Sequence, residues 1–260
     1  MLEKILKVLG VYKIYEIWLY NQIKKGTIPQ HIAVIMDGNR RWAKKRGLFP
    51  WLGHKYGAKK AREFLRWCLD LNIKTVTLYV FSTENFLRSP EEVRELMKII
   101  EEEVIEALDN KDLRDNRVHV KILGKKELLP ASLREKLEQL EKSTENYDQH
   151  FLNIAIAYGG RIEIVDAVRN IAKDILSGKI KIEQISESEI EKRLYTSHLP
   201  NPHPDLVIRT SGEERLSGFL LWQTAYSELY FADVYWPDFR KIDLWRAIRT
   251  YQKRERRFGR

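Results

Sequence analysis

Short apolar segments alternate with amphipathic segments along most of this 260-residue chain, and this alternation restricts the fold more than any other feature. Strands are predicted at residues 31–36, 75–81, 118–123, 151–158, 206–209 and 229–234. Helices are predicted at residues 53–72, 90–110, 128–145, 161–176, 186–194 and 239–257. Helices that follow strands in this way cover both faces of a parallel sheet. The sequence therefore predicts an α/β fold, with one domain whose central, mostly parallel, six-stranded sheet is flanked by helices.

The N-terminal segment, residues 1–28, is set apart from the main domain, residues 29–260. Residues 2–20 are rich in Ile, Leu, Tyr and Trp, but Lys4, Lys7, Lys13 and Glu16 interrupt them. These charges leave no uncharged stretch long enough to span a membrane, and no small-residue cleavage site of a signal peptide is present. Two interpretations remain: an amphipathic helix that lies on a membrane, or a helix that packs on its own domain or on a second subunit.

The charge balance favours anionic partners. Lys and Arg total 46 against 37 Asp and Glu, which gives a net charge of +9. Phosphates, nucleic acid or an acidic membrane surface fit this balance, as does a solvated lysine-rich surface. The single cysteine, Cys68, allows no disulfide within one chain and fits a reducing cytoplasm.

Polar residues follow the first predicted strand in the segment MDGNRRWAKKRG, residues 36–47. Gly38 permits close approach of the backbone to a ligand, and Arg40 and Arg41 carry guanidinium groups suited to phosphate oxygens. Asp37 is placed to bind a metal ion that such phosphates share. The alternative is an ordinary strand-to-helix turn with a capping Asp or Asn.

Two further polar segments lie downstream. His54, in GHKYG, is either a phosphate donor or a helix-capping surface residue. The segment FSTENFLRSP places Ser82, Thr83, Glu84, Asn85 and Arg88 at the end of an apolar strand. This many polar groups need hydrogen-bond partners, which either a ligand or the groups themselves can supply. A ligand-binding loop and a turn whose polar groups bond to each other therefore both remain open.

The segment DLVIRTSGEERLSGFLLWQTAYSELYF, residues 205–231, contains Arg209 at the end of a strand, with Arg215 and Ser217 shortly after it. Glu228 lies among apolar and aromatic residues, where an unpaired charge is costly. Either a metal ion shared with Asp37 or a salt bridge to an arginine would satisfy it. The chain lacks a phosphate-binding P-loop, a nucleophile elbow and a His/Cys metal cluster.

Taken together, these segments resemble the cis-prenyltransferase family, which includes undecaprenyl and dehydrodolichyl diphosphate synthases. The resemblance covers residues 29–259 and is carried by MDGNRRWA, GHKYGA, TLYVFSTENFLR, LNIAIAYGGR, residues 205–231 and the terminal RERRFG. It implies a Mg²⁺-dependent transferase that adds isopentenyl diphosphate repeatedly to an allylic diphosphate, acting as a homodimer. The implied product is a long, undecaprenyl-range precursor of a glycosyl carrier lipid, made in the cytoplasm with peripheral contact to the inner face of the membrane.

The resemblance also assigns roles to residues. Asp37 and Asn85 take the catalytic positions, and Asp37 and Glu228 the metal positions, with Glu228 placed as in members where it reaches the partner's site. The residues assigned to substrate binding are Gly38, Asn39, Arg40, Arg41, Trp42, His54, Ser82, Thr83, Glu84, Phe86, Arg88, Arg209, Arg215, Ser217, Arg257 and Gly259. Arg257 and Gly259 belong to a C-terminal element that contacts diphosphate across a dimer.

Departures from the bacterial pattern suggest an archaeal type of enzyme. Arg40 stands where some bacterial members have Gly, Pro50 where Arg is common, and Glu214 where His is common. An archaeal lineage favours geranylgeranyl diphosphate over farnesyl diphosphate as the primer. The predicted helix at 90–110 is apolar on two faces, which is typical of a buried helix or of the wall of an apolar tunnel for the growing chain.

Three alternative functions compete with this hypothesis. A short-chain synthase would have a tunnel narrowed by bulky residues. A non-catalytic partner subunit is disfavoured because Asp37 and Asn85 are retained. A nucleic-acid-binding protein would fit the clustered Arg and Trp, but no recognisable binding motif supports it, so nucleic acid is not an expected partner.

Overall fold

Six strands form one parallel sheet at the centre of the molecule. The computed structural model describes residues 11–254. The strands are β1 (His31–Ile35), β2 (Thr75–Ser82), β3 (Val118–Leu123), β4 (His150–Tyr158), β5 (Leu206–Thr210) and β6 (Glu228–Ala232). Every neighbouring pair is parallel, in the order β3-β4-β2-β1-β5-β6. The predicted α/β fold and six-stranded sheet are confirmed, and the sheet is parallel throughout rather than mostly parallel.

The strand order reverses at β1. From β1 the chain moves to β2 on one side of the sheet, and only after β4 does it cross to β5 on the other side. All five residues of β1 are buried, as expected for a central strand covered on both faces. In open α/β sheets, ligands bind beyond the carboxyl ends of the strands where the order reverses. The topology therefore predicts a ligand site at the residues that follow Ile35.

Helices cover both faces of the sheet. They are α1 (Val11–Ile23), α2 (Asn39–Lys44), α3 (Pro50–Asp70), α4 (Pro90–Leu108), α5 (Lys111–Asp115), α6 (Ala131–Thr144), α7 (Gly160–Leu176), α8 (Glu187–Glu191) and α9 (Lys241–Lys253). Short 3₁₀ turns occur at Thr83–Leu87, Lys126–Leu128, Ile182–Gln184 and Trp236–Asp238. The predicted helix at 53–72 begins earlier, because Pro50 occupies a first-turn position where its missing N–H costs little.

Helix α1 packs on its own domain, one of the two interpretations of the N-terminal segment. Leu19 and Ile23 are fully buried, and α1 contacts α9. Gln252 Nε2 donates to the Ile23 carbonyl at 2.7 Å, which joins the two helices. The opposite side of α1 is exposed at Ile14 and Ile17. No helix within residues 11–254 is both long and apolar enough to cross a membrane.

A buried network of hydrogen-bonded side chains joins β1, β2 and β4. The His31 ring contacts the Asn201 carbonyl through Nδ1 at 3.1 Å and Thr77 Oγ1 through Nε2 at 2.8 Å. Asn153 Nδ2 donates to the same Thr77 oxygen at 2.9 Å. Burial lowers the pKa of His31 to about 4, against the opposing effects of the Asn201 bond and of Asp205, so the ring is neutral at pH 7.

We expect the unfolding free energy to fall as the pH drops from about 6.5 towards 4. In that window the unfolded His31 binds a proton and the folded one does not, so protonation favours the unfolded state, by up to about 1.4 kcal/mol per pH unit. Urea unfolding at several pH values measures this slope. His31→Gln keeps one donor and one acceptor in place and should have a shallower slope. Equal slopes for the two proteins would contradict the assignment.

Candidate active site

A cavity of about 1160 Å³ opens beyond the carboxyl ends of β1, β2 and β5. It lies at the point where the strand order reverses. The residues predicted to carry chemistry that line it are Asp37, Gly38, Asn39, Arg40, Arg41, His54, Ser82, Thr83, Glu84, Asn85, Arg88, Arg209 and Ser217. The structure therefore brings polar residues from four separate parts of the sequence into one cleft.

An ion pair between Asp37 and Arg209 lies at the base of the cleft. Asp37 Oδ2 accepts a hydrogen bond from Arg209 Nη2 at 2.9 Å, and Asp37 Oδ1 accepts from the Gly38 N–H at 2.6 Å. Arg41 Nη2 lies 3.5 Å from the same carboxylate. Burial alone would raise the pKa of Asp37, but the hydrogen bond and charge of Arg209 outweigh it and lower the pKa. Asp37 is therefore ionised at neutral pH.

Arg209 is an almost fully buried cation with several partners. Its side chain is 5% exposed, and its Nη1 donates to Ser217 Oγ at 2.8 Å and to the Arg215 carbonyl. The Arg209 guanidinium thus joins the end of β5, the end of β1 and the loop that contains Ser217. A carboxylate on one side and a hydroxyl on the other fix the orientation of its planar fork.

The backbone after β1 depends on glycines. Gly38 has φ +99°, and a Cβ there would lie 2.7 Å from Tyr235 Cδ1, so a side chain is excluded on both grounds. A Cβ on Gly53 would lie 2.1 Å from the Asn39 carbonyl oxygen. Close packing of α2 on α3 therefore requires glycine at this position, and it holds Arg40 and Arg41 over the cleft.

Glu92 forms ion pairs with two arginines that line the other wall of the cleft, Arg40 and Arg88. It is 6% exposed, and its Oε1 lies 3.0 Å from Arg88 Nη1 and 3.4 Å from Arg40 Nε. His54 Nε2 is 3.9 Å from the same oxygen, beyond hydrogen-bond distance, and is buried without a partner among the described residues. Burial, with Arg88 and Arg40 nearby, lowers the pKa of His54 against the opposing carboxylate, so the ring is neutral at pH 7.

Sequence reasoning did not identify Glu92, which pairs with arginines of the cleft, or the lining residues Tyr79 and Arg161. Glu92 resembles an ordinary acidic residue in the first turn of a helix, where the helix dipole favours it. Tyr79, on β2, approaches the Ser217 carbonyl at 3.4 Å, and Arg161 lines the cleft at the start of α7. Arg161 lies in LNIAIAYGGR, a segment that carried the resemblance, and its position after β4 was a usable signal.

Two aromatic residues that were assigned to substrate binding, Trp42 and Phe86, pack against neighbouring side chains. Trp42 is 7% exposed, donates from Nε1 to Asp238 Oδ1 at 2.8 Å and lies beneath the Arg46 guanidinium. Phe86 packs edge-on against Phe81 with ring centroids 4.8 Å apart. Neither ring lines the cleft, because each points into the domain. Adjacent residues in the same segments do line the cleft.

Arg215 and Glu228 also lie apart from the base of the cleft. Arg215 is exposed and forms an ion pair with Glu213, although its carbonyl holds Arg209. Glu228 begins β6 in register with Leu206, which pairs with Ile32 near the start of β1. Asp37 lies five residues beyond that level, about 16 Å at the rise of a parallel strand.

The two carboxylates of one chain therefore cannot hold one metal ion. Glu228 instead forms a salt bridge with Arg254 at 2.8 Å, which was the alternative interpretation. The other predicted contacts to a partner's site, Arg257 and Gly259, lie outside the described residues.

The acidic residues of the cleft fit a metal that is shared with a ligand. Within residues 11–254 no group of three or more His, Cys, Asp or Glu side chains converges in the manner of a complete protein metal site. Mg²⁺ commonly binds through one or two carboxylates together with substrate phosphates and water. The ionised Asp37, 30% exposed to the cleft and surrounded by cations suited to phosphate, matches that donor set.

An apolar chamber of about 190 Å³ adjoins the cleft and shares Met36, His54 and Leu96 with it. It extends between α3 and α4 above the sheet. Its apolar lining includes Ala58, Ala61, Leu65, Leu96, Ile99, Ile100, Val104 and Ile154. At its far end Arg62 forms ion pairs with Glu103, at 2.7 Å, and with Glu106. The site thus combines a cationic cleft with an adjacent apolar space.

Residues 35–259 match the family described as putative undecaprenyl diphosphate synthase. The chain belongs to this family. Its relatives in the undecaprenyl diphosphate synthase family include the Pyrococcus horikoshii protein named tritrans,polycis-undecaprenyl-diphosphate synthase (geranylgeranyl-diphosphate specific). That protein is 54% identical over 249 residues, which cover 96% of this chain and 94% of the relative. The Methanocaldococcus jannaschii protein of the same name is 52% identical, with 96% and 89% covered.

Solved structures of this family share the fold. Lavandulyl diphosphate synthase from Lavandula x intermedia, in complex with dimethylallyl diphosphate, superposes with a TM-score of 0.85 at 36% identity, covering 90% of this chain and 99% of that one. A probable undecaprenyl diphosphate synthase from Campylobacter jejuni gives 0.72 at 32%, covering 90% and 100%. The chain is thus a cis-prenyltransferase, and its archaeal relatives fit the archaeal type expected from Arg40 and Glu214.

Proposed function

We propose that this cis-prenyltransferase is a Mg²⁺-dependent synthase that adds isopentenyl diphosphate repeatedly to geranylgeranyl diphosphate. The product is a long polyprenyl diphosphate in the undecaprenyl range, a precursor of a glycosyl carrier lipid. One observation carries the proposal: a cleft with the Asp37–Arg209 pair at its base and cationic walls adjoins an apolar chamber. A substrate with a diphosphate head and an apolar tail has both of its parts matched by this arrangement.

The residues of the cleft that are suited to bind phosphate form two groups, one for each diphosphate. Arg40, Arg41, His54 and Arg88, with Gly38 and Asn39, form the proposed allylic diphosphate site next to the apolar chamber. Arg209 and Ser217 form the proposed isopentenyl diphosphate site, to which Arg215 turns its side chain when the substrate binds. Binding both substrates in one cleft aligns the reacting carbons, which supplies much of the acceleration in such reactions.

Asp37 is the residue proposed to hold Mg²⁺, and the ion would supply positive charge for the departing diphosphate. Arg41 and Arg88 donate to oxygens of the allylic diphosphate from fixed positions, so they stabilise the leaving group without reorganisation. The carbon–oxygen bond breaks with its electron pair on the diphosphate, and the isopentenyl double bond forms the new carbon–carbon bond.

Loss of a proton from the isopentenyl unit completes each cycle. The Thr83–Leu87 turn lies at the end of β2 beside the cleft, and Asn85 Oδ1 accepts from the Ser82 N–H at 3.0 Å. This hydrogen bond fixes the carboxamide. We assign Asn85 as the group that receives or relays the proton, with Ser82, Thr83 and Glu84 lining the space around the reacting carbons.

The primer is proposed from the relatives, since the two archaeal proteins carry names that specify geranylgeranyl diphosphate. A competition assay tests it. Equal amounts of geranylgeranyl and farnesyl diphosphate are supplied with unlabelled isopentenyl diphosphate and Mg²⁺, and the radiolabel is placed on one primer at a time. Label that enters long products mainly from geranylgeranyl diphosphate supports the proposal. Label that enters mainly from farnesyl diphosphate would overturn the choice of primer.

The chamber, at about 190 Å³, is smaller than a typical pocket for a drug-sized ligand, so α3 and α4 must separate as a long chain grows. We expect Ala61→Trp, which fills the chamber beside Leu65, to shorten the product by several isoprene units while leaving the first condensations intact. Chromatography of the products measures this. The control Ala131→Trp lies on the exposed start of α6, and its products should match the wild type. Unchanged length in the Ala61 variant would mean that the chain grows elsewhere.

The small chamber also supports a second candidate, a short-chain synthase. The Lavandula neighbour is named lavandulyl diphosphate synthase, its structure contains dimethylallyl diphosphate, and it is the more similar of the two by TM-score. Product sizing in the same assay separates the two candidates. A homodimer in the cytoplasm is part of the main proposal, in which Glu228, Arg257 and Gly259 reach the site of the partner subunit.

A further inference from the structure

The segment from Gly38 to Arg62 has an unusual charge pattern. Nine of its residues are Lys or Arg and none is Asp or Glu. Arg40 and Arg41 line the cleft, and Arg46, Lys60 and Arg62 pair with acidic residues from outside the segment. Four cations remain that have no carboxylate of the described residues within ion-pair distance. They are Lys44, Lys45, Lys55 and Lys59, and all four are exposed.

Exposed aromatic rings lie among these lysines. Phe49 is 63% exposed, and its ring stacks on Trp51 with centroids 4.5 Å apart and an interplanar angle of 7°. Tyr56 is 51% exposed and packs on Trp42 at 4.8 Å. The stacked Phe49 ring is therefore held outward by the folded structure. Exposed aromatics with surrounding lysines are typical of surfaces that enter the headgroup region of anionic bilayers.

We propose that this basic aromatic rim docks the protein on an anionic lipid bilayer. The rim consists of Lys44, Lys45, Phe49, Lys55, Tyr56 and Lys59. It adjoins the cleft mouth, since Lys44, Leu48 and Pro50 line the cleft wall. Its net positive charge complements lipid phosphates, and Phe49 and Tyr56 supply the apolar contact. The purpose of docking rests on the proposed function, because a product with a long apolar tail would then leave the cleft beside a membrane.

The exposed side of α1 is the competing membrane surface. There, Ile14 and Ile17 are exposed, but arginine side chains from α9 lie over the neighbouring aromatic rings. The Arg249 guanidinium lies 5.1 Å from the Trp18 ring centroid, and that of Arg246 lies 5.6 Å from Tyr15. The aromatic rings of the rim are more exposed than those of α1, and of these two surfaces only the rim borders the cleft. The rim is therefore the favoured docking surface.

Vesicle sedimentation tests the proposal on the full chain without substrates. The probes are vesicles of phosphatidylglycerol mixed with phosphatidylcholine, and vesicles of phosphatidylcholine alone. The wild type should pellet with the anionic vesicles only, and high salt should release it. The rim variant combines Phe49→Ser, Lys55→Gln and Lys59→Gln. Each lysine near an anionic surface contributes about fivefold to partitioning, so the variant should bind at least roughly thirtyfold more weakly.

A matched variant, here called the α1 variant, makes the same types of substitution on α1 and on the turn that follows it. Ile17→Ser, Lys24→Gln and Lys25→Gln remove one exposed apolar residue and two lysines. This variant should retain binding. The proposal is overturned if the wild type stays in the supernatant, if the α1 variant loses as much binding as the rim variant, or if RNA displaces the vesicles. Docking without condensation activity would contradict the proposed function alone, and activity without docking would contradict this inference alone.

Discussion

Asp37→Ala should reduce the incorporation of labelled isopentenyl diphosphate by at least about a hundredfold to a thousandfold, roughly 3–4 kcal/mol of transition-state stabilisation. Asp37 is the ionised carboxylate at the base of the cleft and the proposed ligand of Mg²⁺. Without it, the ion and the departing diphosphate lose their fixed protein partner. The fold should survive, because Arg209 keeps its bonds to Ser217 and to the Arg215 carbonyl. Steady-state kinetics with circular dichroism measures both effects.

Asp148→Ala is the matched control for this substitution. Asp148 also forms an ion pair with an arginine, Arg117, at 3.0 Å, but it is largely exposed and does not line the cleft. Its loss should change activity less than twofold, since exposed ion pairs contribute little. An Asp37→Ala protein that is folded and retains a tenth or more of the wild-type rate would contradict the role of this carboxylate.

Arg209→Lys is expected to have the second large effect, although it preserves the charge. One guanidinium contacts Asp37, Ser217 and the Arg215 carbonyl together, whereas a single ammonium cannot span those positions. Two charge-assisted hydrogen bonds are lost from a buried site, so we expect a loss of roughly 2–4 kcal/mol in the free energy of unfolding. Activity should fall about a hundredfold, with a raised KM for isopentenyl diphosphate. Urea unfolding and kinetics with each substrate varied separately measure the two effects.

Arg117→Lys controls for the loss of an arginine fork outside the cleft. Arg117 donates to Asp148 and to the Asn146 carbonyl, and its side chain is 49% exposed. We expect little change in stability or rate. If KM rose only for the allylic substrate in the Arg209 variant, Arg209 would belong to the other diphosphate site.

The sheet was predictable from sequence because each strand is a short run of apolar or β-branched residues between turns. β3 has the predicted bounds, β1, β2, β4 and β5 differ from prediction by one residue at one end, and β6 differs by one residue at its start and two at its end. Helix α2 was not predicted, because its six residues, NRRWAK, are mostly polar and show no helical periodicity. It forms because Gly38 turns the chain and because Gly53 allows close packing on α3.

The cleft residues were predictable where they follow strands, since the carboxyl ends of parallel strands share one edge of the sheet. Glu228 shows the limit of this reasoning. It comes at the start of a strand, whereas Asp37 follows the end of one, so the two lie at opposite edges of the sheet. The resemblance assigned both residues to metal binding, but the sequence did not show this separation. Burial could not be predicted from the sequence either, since Trp42 is buried and Phe86 is partly buried against the core. Glu92 matters only because the fold places Arg40 and Arg88 beside it.

The most direct test of the central claim is a condensation assay with the purified protein. Labelled isopentenyl diphosphate is incubated with geranylgeranyl diphosphate and Mg²⁺, with and without a chelator, and butanol-extractable label is counted and sized. We predict a long product that depends on the primer, on the ion and on Asp37. Folded protein that forms no product with geranylgeranyl, farnesyl or dimethylallyl diphosphate would contradict the account and favour a non-catalytic subunit.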